Sequence, residues 1–157
     1  MAKIKSVIGR QVFDSRGNPT VEAEIILDNG LSATAISPSG ASTGAFEAHE
    51  LRDKDQNKFL GKSVNTAVQN INSKISNKLK NLDISHQENI DKILLDLDGS
   101  ENKTNLGANA TLAVSLAYAK CAAITNKLSL YKSLGRSYSL PIPVSYTHLT
   151  LPTILLV

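Results

Sequence analysis

Apolar and polar residues alternate strictly from position 21: Val21, Ala23, Ile25 and Leu27 share one face, while Glu22, Glu24 and Asp28 lie among the residues of the other. A period of two is the signature of a strand with one buried face. Lys3 to Phe13 has mixed β character, and the turn cluster Asp14-Ser15-Arg16-Gly17-Asn18-Pro19 separates it from that strand. Asp28-Asn29-Gly30 predicts a tight hairpin, because Asn and Gly tolerate a positive φ. A third strand over Leu31–Ile36 follows. The first third of the chain therefore reads as a three-stranded antiparallel meander.

Further on the period becomes helical. Val64, Val68, Ile71, Ile75 and Leu79 are spaced by three or four and form one apolar stripe. Gly61 marks its start and Asn81-Leu82-Asp83 its end. Ser85 with Glu88 predicts a capping box for a helix through Leu97, closed by Asp98-Gly99. Ala108 to Ile124 is apolar on nearly every face, Lys120 being its one charge, so this helix is expected at the centre of a bundle. A short helix over Leu128–Leu134 ends at Gly135. Strands followed by helices, rather than alternating with them, indicate α+β: a meander followed by a helical bundle.

Composition narrows the function. The 157 residues are 41% hydrophobic and 20% charged, which fits one domain and excludes intrinsic disorder. The net charge of +3 is dispersed, with no basic stretch carrying aromatic neighbours, so no nucleic-acid partner is expected. One cysteine, Cys121, excludes an internal disulfide and reads as a buried small hydrophobe. No window reaches the roughly 18 apolar residues of a membrane span, and the N-terminus lacks a signal-peptide pattern, so a cytoplasmic location is expected. Every charged residue lies at or before Arg136.

Most familiar chemical constellations are missing. His49, His86 and His148 share no helical face with a second ligand, and His49 in Glu47-Ala48-His49-Glu50 reads as a solvated helix residue. The informative stretch is Ser39-Gly40-Ala41-Ser42-Thr43-Gly44. Its glycines let backbone groups and two hydroxyls come close to a phosphate or a hard cation, and its carbonyl and hydroxyl oxygens suit the cation.

Two motifs in order, Phe13-Asp14-Ser15-Arg16-Gly17-Asn18-Pro19-Thr20-Val21-Glu22 and Pro38 to Ala48, closely resemble the start of the enolases. Asn105-Leu106-Gly107-Ala108-Asn109-Ala110 and Leu140-Pro141-Ile142-Pro143 extend the resemblance over about residues 3–143. It implies a lyase of glycolysis, phosphopyruvate hydratase, which dehydrates 2-phospho-D-glycerate to phosphoenolpyruvate with Mg2+. It also implies that Ser39, Gly40, Ala41, Ser42, Thr43 and Gly44 form a mobile lid, with Ser42 a ligand of the second magnesium. Arg10 and Glu22 match the N-terminal half of a homodimer contact. The base, the acid and the carboxylates of the first magnesium belong, in the family, to a barrel domain that follows the Leu-Pro-Ile-Pro segment.

Residues 1–143 are accordingly expected to be the cap, with no catalytic residue among them. From Val144 onward nothing matches the family, and Val144-Ser145-Tyr146-Thr147-His148-Leu149 is similar to one reading frame of a sequencing adapter. Residues 144–157 are expected to be a foreign tail with no fixed place in the fold. On this reading the chain is an enolase piece, inactive by itself; the alternative is a free-standing cap that binds a partner without catalysis.

Overall fold

The computed structural model describes residues 2–40, 44, 47–84 and 86–135. Strands β1 (Ile4–Phe13), β2 (Pro19–Leu27) and β3 (Ser32–Ser37) form an antiparallel sheet in the order β1-β2-β3. The alternation translates directly into burial: Val21, Ala23, Ile25 and Leu27 are fully buried, and Glu22 and Glu24 lie on the opposite face. The turns use the predicted chemistry. Asp14 Oδ1 accepts from the N–H groups of Arg16 (2.8 Å) and Asn18 (2.9 Å). Gly30 sits at φ +85, where an L side chain would be strained, and Leu31 N donates to Asn29 Oδ1 at 3.1 Å.

A continuous helical stretch over residues 65–79 carries the predicted stripe, with Val64, Ile71, Ile75 and Leu79 fully buried and Val68 partly so. It consists of α1 (Asn65–Asn70), a π-helical turn (Ile71–Ile75) and α2 (Ser76–Leu79). Asn72, in the π turn, holds β1 through its side chain: Gly9 N donates to Asn72 Oδ1 at 2.8 Å, and Asn72 Nδ2 donates to Gly9 O at 3.0 Å. The free margin of β1 is further closed by Ile4 N to Leu82 O (2.9 Å), by Asn81 N to Ile4 O (2.8 Å), and by Val64 N to Gln11 Oε1 (3.0 Å).

Helix α3 (Gln87–Asp98) ends as expected at Gly99, whose φ is +67. Its start differs from the expectation. His86 occupies the cap position in extended conformation without a side-chain bond to the helix, and Ser85 lies outside the described residues. Helix α4 (Ala108–Thr125) is buried along most of its length, but not at the centre of a bundle. It packs on β2 and β3, with α3 beside it. Small residues make this possible: Ala23 and Ala35 are register partners on β2 and β3, and Ala113 and Ala117 of α4 are fully buried. The fold is therefore α+β, with helices laid on one face of the sheet. Leu112 (50% exposed) and Leu116 (39%) face outward from α4, as Leu95 does from α3. No helix among the described residues is long and apolar enough to cross a membrane. A short α5 (Leu130–Leu134) follows; the expected foreign tail, residues 144–157, and the Leu140-Pro141-Ile142-Pro143 motif lie outside the described residues.

Candidate functional site

The Ser/Gly-rich loop leaves the sheet at the end of β3, where Thr20 Oγ1 donates to Ser37 O at 2.5 Å. Ser39 is then gripped from three sides. Arg16 Nη2, from the β1–β2 turn, donates to Ser39 O at 3.0 Å. Ser39 Oγ donates to Glu50 Oε1 at 2.5 Å, and Arg52 Nη2 donates to both Ser39 Oγ (2.7 Å) and Glu50 Oε1 (2.8 Å). The other Arg52 nitrogen, Nη1, donates to Pro19 O at 3.2 Å and to Lys62 O. One guanidinium thus ties the loop's first residue to the start of β2 and to the approach to α1. A planar fork with five N–H donors can do this; an ammonium cannot.

The strand-like segment that presents Glu50 and Arg52 is itself pinned. His49 N donates to Asn102 O at 2.7 Å and Ala108 N to His49 O at 2.8 Å. Asn109 brackets Leu51, two residues on: Leu51 N donates to Asn109 Oδ1 (3.2 Å), and Asn109 Nδ2 donates to Leu51 O (3.0 Å). His49 is therefore half-buried in extended chain, not on a solvated helix. The Glu-Ala-His-Glu string resembled a helical face only because short polar runs carry no period of their own; its backbone bonds go to the α3–α4 connection and the first turn of α4. Further along, Asp53 closes the start of α1 by accepting from Asn65 N and Thr66 N, each at 2.9 Å. Burial pushes the Asp53 pKa up, but these bonds and the neighbouring hydroxyls of Thr66 and Ser63 outweigh it and hold the carboxyl below its ordinary value.

Ser39, Gly40, Gly44, His49, Glu50 and Asn109 contribute to the wall of a cavity of about 540 Å³ beside the loop. Its surface offers hydroxyl, carbonyl and carboxylate oxygens. Of the six loop residues singled out from sequence, Ser39, Gly40 and Gly44 are described and border this cavity; Ala41, Ser42 and Thr43 lie outside the described residues. Among the described residues no group of three or more His, Cys, Asp or Glu side chains could hold a metal ion. The sequence reading missed Glu50 and Arg52, whose i,i+2 spacing on an extended segment was the available signal.

Arg10 and Glu22 stand directly opposite each other on β1 and β2. On the outer face of the sheet Arg10 Nη1 meets Glu22 Oε1 at 3.3 Å and Arg10 Nη2 meets Glu24 Oε2 at 2.5 Å, so Glu24 joins the pair singled out from sequence. The side-chain hydrogen bond to Glu24 is the main influence raising the already high Arg10 pKa. Asp14, at the turn beneath the loop, is held below the usual carboxylate value chiefly by the Asn18 N–H.

Residues 4–134 match a family model described as the enolase N-terminal domain. The match spans the whole sheet and every described helix, ending at the last residue of α5. The chain belongs to the enolase family, through its N-terminal domain.

Proposed function

We propose that this chain supplies the lid and cap of an enolase, acting in the dehydration of 2-phospho-D-glycerate to phosphoenolpyruvate. The observation that carries the reading is the anchored loop stem. Ser39 is fixed by Arg16, Glu50 and Arg52 in the wall of a cavity lined by both polar and apolar groups, within a domain matched over residues 4–134. A fixed stem lets the remainder of a lid close over substrate in one register and exclude water, which strengthens every electrostatic interaction inside.

The loop's donor set fits magnesium in part. Hydroxyl and carbonyl oxygens are hard ligands, but the described residues supply no carboxylate cluster to complete a shell. On this proposal Ser42 contributes its oxygens to the second magnesium, and the other ligands, with the base and the acid, come from a barrel domain. Magnesium when bound supplies the positive charge that makes the carbon next to the substrate carboxylate more acidic. The chain's own residues orient the lid, wall the cavity and keep water out. The outer face of the sheet bearing Arg10, Glu22 and Glu24 is the homodimer contact in this reading, and residues 1–157 alone are inactive.

The test is a graft. Residues 3–143 replace the corresponding cap of an active enolase, and phosphoenolpyruvate formation is followed with and without magnesium. Magnesium-dependent turnover that falls at least tenfold in Ser42→Ala is expected. A graft with native circular dichroism that turns over equally well with and without the Ser42 side chain would overturn the assignment of the loop.

A further inference from the structure

The ladder between β2 and β3 determines which groups β3 offers to the outside. Leu27 N donates to Leu31 O at 2.8 Å, so Ile25 with Ala33, Ala23 with Ala35 and Val21 with Ser37 are the hydrogen-bonded pairs. Ser32, Thr34 and Ile36 therefore aim their N–H and C=O groups away from β2. The opposite margin of the sheet, on β1, is closed by residues 81–84, Asn72 and Gln11. Among the described residues no backbone segment pairs with the margin of β3.

Such a margin is a template for another strand. The β3 sequence, Ser-Ala-Thr-Ala-Ile-Ser, contains no charge and no proline, and Ile36 is 44% exposed beside it. One side chain reaches across the margin: Lys120 Nζ donates to Thr34 O at 2.9 Å. Lys120 is the only charged residue in the 18 of α4. We propose that Lys120 guards the margin of β3 against pairing with a second copy of this chain.

The geometry explains why one lysine is enough. Antiparallel pairing about a two-fold axis at Thr34 sets Thr34 against Thr34 of the copy, and Ser32 against Ile36. Each Thr34 carbonyl must then accept the N–H of the other Thr34 where it now holds the ammonium. Both ammonium groups would also be brought to one axis, within roughly the 10 Å over which like charges repel unscreened. Pairing thus sacrifices a charge-assisted bond twice and adds a repulsion. A margin that would otherwise join two copies into one continuous sheet is blocked at its centre.

The test compares Lys120→Met, which keeps the aliphatic stem, with Lys120→Arg, which keeps charge and donor. Sedimentation velocity across a concentration series reads association, and hydrogen exchange reads the Ser32, Thr34 and Ile36 amides. Lys120→Met is expected to self-associate at least tenfold more tightly than the parent, with the Thr34 and Ile36 amides becoming protected as concentration rises. Lys120→Arg should match the parent. Adding Thr34→Pro, which removes an outward N–H and no bond to β2, should reverse the association, as should Ile36→Lys in the same background. The proposal falls if Lys120→Met associates no more than the parent, or if Lys120→Arg associates as Lys120→Met does. It falls equally if association leaves those amides unprotected or survives both blocking substitutions. Parent amides already protected at the lowest concentration would show the margin occupied by the chain itself, which also refutes it.

Discussion

Replacing Gly9 by alanine tests whether the π turn and the sheet are in direct contact. Gly9 lies on the inner face of β1, and a Cβ built there would stand 2.9 Å from Ile71 Cβ, 3.0 Å from its Cγ2 and 3.2 Å from its Cδ1. The closest of these atoms is a Cβ that no rotamer change can move, so the helical backbone itself must shift. Overpacking of this kind destabilises by about 1–3 kcal/mol, since well-packed interiors transmit strain rather than absorb it. Removing a glycine from the unfolded chain works the other way, by about 0.5–1 kcal/mol. The net expectation is a loss of about 1–2 kcal/mol, which for a domain of this size lowers the thermal midpoint by about 2–8 °C. A second prediction comes from Asn72, whose amide clasps both backbone groups of Gly9 and must move with Ile71. Asn72→Ala alone should therefore be destabilising, and the double variant should lose less than the sum of the two singles. Thermal unfolding by circular dichroism checks both. An unchanged or raised midpoint in Gly9→Ala, or strict additivity with Asn72→Ala, would refute the contact.

Three further expectations concern single side chains. Asp98 is buried, which pushes its pKa up, but Ser100 Oγ and the N–H groups of Leu106 (2.7 Å) and Ser100 (3.1 Å) outweigh this and hold it low. A carboxyl depressed in the folded state lends stability above its unfolded pKa, about 3.9, which is lost as pH falls toward the folded value; Asp98→Asn should flatten the decline of the midpoint below about pH 4, and a decline as steep as the parent's would count against this. Arg52→Ala leaves Ser39 Oγ, Pro19 O and Lys62 O short of a donor and should cost about 2 kcal/mol in urea unfolding, with Arg52→Lys recovering only part of it because one ammonium cannot reach acceptors on both sides. Burial pushes the Cys121 thiol up to about 11, so iodoacetamide at pH 8 should label the unfolded chain and leave the folded one untouched, as mass spectrometry would show; rapid labelling of the folded chain would contradict its burial.

Local pattern alone carried much of this protein. A period of two at Val21–Leu27, Asn-Gly in the hairpin, a stripe at three- and four-residue steps from Val64 to Leu79 and Gly99 after α3 each express an interaction between residues near in sequence, and each appears in the structure. The ordered motifs likewise pointed to the family, since they are contiguous strings. What sequence left undetermined depends on residues far apart. The surroundings of α4 are one case: its apolar faces required burial, but the small residues Ala23 and Ala35 of β2 and β3 let it lie on the sheet instead of among helices. The grip on Ser39 is another, assembled from Arg16, Glu50 and Arg52, which reach it across separations of 23, 11 and 13 residues. Lys120 is the third. Along the chain it is one charge in an apolar helix, and only the packing of α4 brings it 2.9 Å from Thr34 O, 86 residues away. Periodicity records which face is buried; what meets that face is decided by side-chain volume and by the few polar groups that must find partners once water is gone.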